Sequence, residues 1–138
     1  MSVPLLRELL AAEHAVVYGY GVLGARLGQD ARDLALTAYD SHRARRDQLA
    51  ARLRERGADP EASPPAYDVA VAGVPQALAL AVRLEEGMAL RWRDLVGGTD
   101  ERPLRELALA GLTECAVRAA QWRRRAGTSP ATVALPGT

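Results

Sequence analysis

Glu13, His42, Glu85 and Glu114 are the residues of this chain whose types and spacing point to shared chemistry. Glu13 and His42 lie about equally far from the Gly28–Asp30 break, and Glu85 and Glu114 about equally far from Gly97-Gly98-Thr99. In two antiparallel helical hairpins, residues equidistant from their turn stand at the same height. The four side chains are therefore expected to meet at one level inside a four-helix bundle. Glu13, His42 and Glu85 each interrupt an otherwise apolar helical stripe. Burying a bare carboxylate is costly, so each acid needs a metal, a proton or a charged partner. Four ligands suffice for one metal with water completing its shell. The opposing reading is an ion-pair network. Arg46 follows His42 by four and Arg118 follows Glu114 by four, and the hydroxyls of Tyr18, Tyr20 and Tyr39 could satisfy further oxygens. His14, beside Glu13, reads as partly exposed or as a supporting partner of that site.

The elements that must position these groups are legible in the same rows. A first helix is expected over about 3–27, with Ser2 as N-cap, Pro4 in its first turn and Gly28 closing it. Leu6, Leu10, Glu13, Val17, Tyr20 and Gly24 form its inward stripe. Asp30 is placed to cap a second helix over about 31–56, with Ala35, Ala38, His42, Leu49 and Leu53 inward and Gly57 ending it. Pro75 opens a third helix to about 96, with stripe Leu78, Ala81, Glu85, Met88, Trp92 and Leu95. The fourth runs over about 100–126 with Pro103 in its first turn. Two inner faces compete for it: Leu107–Glu114–Gln121, or Leu104–Gly111–Cys115–Arg118–Trp122. Between the second and third helices, Pro60, Pro64 and Pro65 forbid helix. Fully extended, about 17 residues reach roughly 55 Å, whereas a 25-residue helix is about 38 Å long. That segment can cross the whole bundle, a loose surface loop being the alternative. The tail from 127 to 138 is expected to be extended, with Thr132–Leu135 along a groove. The 138 residues are read as one all-α domain.

Composition narrows the function classes. Lys, Ile, Asn and Phe are absent, and the abundance of Ala, Leu and Arg favours helix. A net charge of +1 gives no general field for nucleic acid. Arg43/Arg45/Arg46 and Arg123/Arg124/Arg125 sit among acids such as Asp47 and Glu55, and are expected to be solvated or ion-paired. Cys115 alone allows neither an internal disulfide nor a Cys-based zinc site, and has no activating His beside it in sequence. The start of the chain lacks a signal-peptide pattern, and Arg7, Glu8, Glu13, His14 and Arg26 break its first apolar stretch too often for a membrane span. A cytoplasmic protein is expected. Gly19-Tyr20-Gly21-Val22-Leu23-Gly24 fits a dinucleotide fingerprint, but that fingerprint needs a preceding strand, and Leu5–Ala15 reads as helix. Close helix contact explains these glycines better.

The four-residue set resembles that of the ferritin-like superfamily. Its dinuclear members supply a Glu from one helix of each pair and Glu-x-x-His from the other. By that resemblance Glu13 stands for the first-helix Glu, His42 for the second-helix His, Glu85 for the third-helix Glu and Glu114 for the fourth-helix carboxylate. The second motif reads Tyr39-Asp40-Ser41-His42, with Tyr in place of Glu. The fourth reads Glu114-Cys115-Ala116-Val117, with Val in place of His. More closely, the chain resembles a ferritin-like domain of unknown function common in high-GC Gram-positive bacteria. The resemblance is carried by Leu9-Leu10-Ala11-Ala12-Glu13-His14-Ala15, Tyr18-Gly19-Tyr20-Gly21 and His42-Arg43-Ala44-Arg45-Arg46-Asp47. Arg83-Leu84-Glu85, Ala116–Trp122 and the Pro130–Gly137 tail extend it.

The expectation is thus a ferritin-like four-helix bundle with one long crossover between helices 2 and 3. Its expected role is a non-catalytic binding or structural module with a degenerate carboxylate site and no resident cofactor. The alternative is a metal-dependent oxidoreductase or iron handler, with iron or manganese on Glu13, His42, Glu85 and Glu114 and with Tyr39 near the metal. A homodimer is expected, with a small-molecule or protein partner, no nucleic acid and no membrane. Trp92 and Trp122 are expected as core or interface anchors.

Overall fold

The periodic apolar stretches form four helices in the computed structural model, which describes residues 2–137: α1 (Ser2–Gly24), α2 (Gln29–Glu55), α3 (Val74–Gly98) and α4 (Arg102–Ala126). α1 packs on α2 and α3 on α4 as two hairpins, α1 also lies against α3, and α2 and α4 meet sparsely. The α2 stripe is buried as expected at Ala35, Ala38, His42, Leu49 and Leu53. In α3, Ala81, Glu85, Met88, Trp92 and Leu95 are buried, with Ala77 taking the place expected of Leu78. In α1 the stripe rotates: Val16, Gly19 and Leu23 are buried, while Val17 and Gly24 are half-buried. The competing faces of α4 resolve in favour of Leu104, Gly111, Cys115 and Trp122.

The expected caps are corrected. Ser2 is the first residue of α1 rather than its cap, and its hydroxyl bonds Thr99 at 3.1 Å and Glu101 at 3.0 Å across the bundle's end. Gly28, not Asp30, is the N-cap of α2, and Asp30 falls in its first turn, where a carboxylate still favours the helix dipole. α1 ends at Gly24 rather than at Gly28, and α3 runs on through Gly97 to Gly98, with Thr99 as its C-cap. Gly57 does end α2, with φ +70, a conformation that suits glycine.

Two end contacts fix the helix directions. Gly98 lies against Leu5, so the end of α3 meets the start of α1. Arg56 bonds Glu101 at 2.6 Å, so the end of α2 meets the start of α4. The connection leaving α2 therefore begins at one end of the bundle and must reach the other, where α3 starts. It does so along α1. The carbonyl of Glu61 meets His14 Nε2 at 3.1 Å, the Tyr67 ring packs on Tyr18 at 5.3 Å, and Val71 is buried. The long crossover is present, and His14 is one of its fasteners.

Small residues let α3 and α4 approach closely. A Cβ on Gly111 would fall 2.5 Å from the Trp92 ring, so the indole packs directly against the α4 backbone. Trp92 and Trp122 are both fully buried core residues. The Trp92 ring N–H has no acceptor among the described residues.

Candidate functional site: a buried ion network in the bundle interior

Glu13, His42 and Glu85 converge at mid-height, each fully buried. His42 joins the two acids. Its Nδ1 lies 2.9 and 3.0 Å from the two carboxylate oxygens of Glu13, and its Nε2 lies 2.9 Å from Glu85 Oε2. Ionised carboxylates only accept hydrogen bonds, so both ring nitrogens serve best as donors, and the ring as an imidazolium. Glu85 takes further donors. The Tyr20 hydroxyl donates to the same Oε2, and Arg118 Nε donates to Oε1 at 3.2 Å. Tyr20 stacks on His42 with ring centroids 5.6 Å apart, and its oxygen accepts the Trp122 indole N–H at 2.9 Å. Arg118 also donates to Ser41 Oγ at 3.2 Å. Two buried anions are thus balanced by two cations, and their polar atoms are tied to one another.

The environment separates the two carboxyls. Burial raises the carboxyl of Glu13 above its ordinary value, because the hydrogen bond and charge of His42 do not fully offset the lost solvation and the Glu85 charge adds to the rise. Burial acts on Glu85 as well, but His42, Arg118 and Tyr20 together hold its carboxyl below the usual range. For His42, burial favours the neutral ring, yet the hydrogen bonds and charges of Glu13 and Glu85 outweigh it and raise the imidazole to about 9. Tyr20 is pushed well up by burial and by the Glu85 charge, so it remains a hydroxyl donor. Arg118 is shifted upward, the nearby carboxylate of Glu85 overcoming its burial.

Glu114 is not brought to the trio. Its half-exposed side chain accepts from Arg45, with one contact of 3.1 Å, and lies 4.0 Å from Arg118. It forms the outer rung of a ladder running from Glu85 through Arg118 to the surface. Cys115, one residue on, points inward instead and is buried. Tyr39 also stays outside, with the Arg43 guanidinium 5.5 Å over its ring. The arginine clusters are largely ion-paired, as expected: Arg43 with Asp40, Arg45 with Glu114, Arg46 with Asp47 and Arg123 with Glu86. Trp122 and Ser41 were missing from the expected site. The signal for Trp122 was its position four residues after Arg118 in one of the two candidate stripes, where a buried indole needs an acceptor.

The fit to a metal can be tested on these donors. His42, Glu85 and Cys115 offer ligand atoms within 4.8 Å of one another. Both His42 nitrogens already face carboxylates, however, leaving no free lone pair while the ring is charged. Arg118 supplies a fixed positive charge 3.2 Å from Glu85. Burial and the Glu85 charge push the Cys115 thiol well up, away from the thiolate a metal needs. A two-metal cluster lacks its remaining ligands, since Tyr39 and Val117 stand at those positions and Glu114 faces outward. The residues present do not fit the cluster that the resemblance implies.

Comparison with known proteins agrees with an uncharacterised helical family. The family model described as "Domain of unknown function (DUF4439)" matches residues 6–138. The chain is similar to a solved structure described as a conserved hypothetical protein, rv2844, from Mycobacterium tuberculosis. The two share 35% identity over 88% of this chain and 94% of that one, with a TM-score of 0.85. No curated protein matches. Among the described residues, no helix is long and apolar enough to cross a membrane.

Proposed function

The chain belongs to the DUF4439 family, and we propose that it is a non-catalytic binding or structural module built on a ferritin-like bundle. In this reading a self-neutralising ion network occupies the place of a metal cluster. The observation that carries it is the double engagement of His42, whose two ring nitrogens are each spent on a carboxylate. Arg118 supports it by contributing, beside Glu85, the positive charge that a cation would otherwise provide. The long crossover lying along α1 supports descent from a ferritin-like bundle. The reading includes a homodimer in a reducing cytoplasm. Cys115 is a buried free thiol, and Leu36 and Leu109 are exposed apolar side chains.

The competing reading is a metal-dependent oxidoreductase or iron handler. The closeness of His42, Glu85 and Cys115 is the observation in its favour. Elemental analysis of protein purified without chelator, combined with unfolding of Glu13→Ala and His42→Ala, separates the two. The network reading expects less than stoichiometric iron, manganese or zinc, and a large loss of stability in both variants. Stoichiometric metal that disappears from variants that still fold would overturn it.

A further inference from the structure

The outer side of α3 and α4 carries a second feature, independent of the buried network. The C-terminal segment turns back at Gly127 and is fastened at two points. Arg123 Nη1 donates to the Ala131 carbonyl at 3.2 Å, and Arg93 Nη1 donates to the Gly137 carbonyl at 3.2 Å. Gly137, at φ +83, sits so close to the α3 backbone that a Cβ there would lie 2.9 Å from the Ala89 oxygen. Between these points the segment forms one wall of a groove of about 870 Å³, whose other walls are α3 and α4. That volume lies within the ~300–1,000 Å³ usual for small-molecule sites.

The groove is polarised along its length. Glu86 on α3 is level with Arg123 on α4, because the two are ion-paired. In this antiparallel pair, Arg83 (one turn before Glu86) and Arg124 (one residue after Arg123) therefore lie toward the same end. Both are exposed, both line the groove, and neither makes an ion pair among the described residues. Among the described residues, the one acid on the lining, Glu86, is already held by Arg123. Leu90 and Val117 lie toward the opposite end, with Val133 on the tail wall, and these three remain 47%, 53% and 48% exposed. Exposed apolar side chains beside two guanidinium groups that make no ion pair among the described residues suit an anionic amphiphile.

We propose that this groove binds a single-chain anionic amphiphile, a free fatty acid, with its carboxylate on Arg83 and Arg124 and its acyl chain along Leu90, Val117 and Val133. The polar head needs the planar, always-charged donors that arginine supplies. The chain covers the side chains that the tail leaves open to water.

The test is titration of the full chain with sodium laurate below its micelle threshold, followed by calorimetry and methyl-resolved NMR. Dodecyltrimethylammonium serves as the comparator of equal chain length and opposite charge. The expected result is saturable one-to-one laurate binding that shifts the methyls of Leu90, Val117 and Val133. The cationic comparator, and laurate with Arg83→Glu/Arg124→Glu, should each bind at least about tenfold more weakly, as loss of a charge-assisted contact predicts. Both arginines are exposed, so the variant should retain its helicity. Equal binding of the two amphiphiles, or an unchanged affinity in the variant, overturns the proposal. So does response to anionic vesicles alone, or methyl shifts that follow protein concentration rather than laurate, which would assign the groove to a membrane or to a second copy.

Discussion

The two buried glutamates carry unequal responsibilities. Glu85 accepts from His42, Tyr20 and Arg118, whereas Glu13 accepts from His42. Neutralising Glu85 by Glu85→Gln leaves His42 and Arg118 with Glu13 as the one buried carboxylate of the network and turns an amide N–H2 toward at least one of three donors, so its cost should approach the ~3–5 kcal/mol of a broken buried pair. Glu13→Gln keeps an acceptor for the ring and removes the acid whose charge burial already disfavours, so it should cost at least about 1 kcal/mol less. Urea unfolding of the two variants checks the order, and equal or reversed costs would contradict it. The three central residues were readable because a charge within an apolar stripe has few explanations. Glu114 was misplaced for a geometric reason. Equal distance from a turn fixes height along a helix but not direction around it, and one residue rotates a side chain by about 100°. That rotation puts Cys115 inside and leaves Glu114 with Arg45.

At the scale of elements, the α3–α4 contact depends on a missing side chain. Gly111→Ala should gain up to ~1 kcal/mol in helix propensity, but its methyl would fall 2.5 Å from the Trp92 ring. Overpacking of this kind costs about 1–3 kcal/mol, so thermal unfolding should show a net loss. A Tm at or above that of the parent would mean that the indole can move aside at no cost. Helix existence and the α2 stripe were legible because apolar periodicity is strong there. The boundaries and caps were less so. Ser2 and Asp30 have capping side chains, yet tertiary contact draws the Ser2 hydroxyl to Thr99 and Glu101, and Gly28 takes the capping position before Gln29. The face of α4 became clear only with Trp92 against Gly111, a pairing between helices that no single stripe contains.

For the whole molecule, the network links stability to pH. The imidazole of His42 is raised in the fold from its ordinary 6.5 to about 9. Its contribution is therefore complete below about 6.5 and is lost as pH rises through about 9. The shift corresponds to on the order of 3 kcal/mol. Glu85 is lowered, so its contribution is present above its ordinary value of 4.5 and is lost as pH falls through its depressed value. Glu13 is raised and opposes this acid loss, since its burial penalty eases as it takes up a proton. Unfolding free energy should thus be greatest in mildly acidic solution and decline on the alkaline side. Glu13→Gln should flatten that decline, because the ring loses one of the two acids that hold its proton. Stability unchanged from neutral pH to above 9 would contradict this linkage.

The most direct measurement is nitrogen NMR of the His42 ring across that range. Protons are expected on both Nδ1 and Nε2 at neutral pH, with deprotonation at about 9. A ring that holds only one proton at neutral pH, or whose free nitrogen responds to added metal, would contradict the claim that this site is an ion network closed on itself.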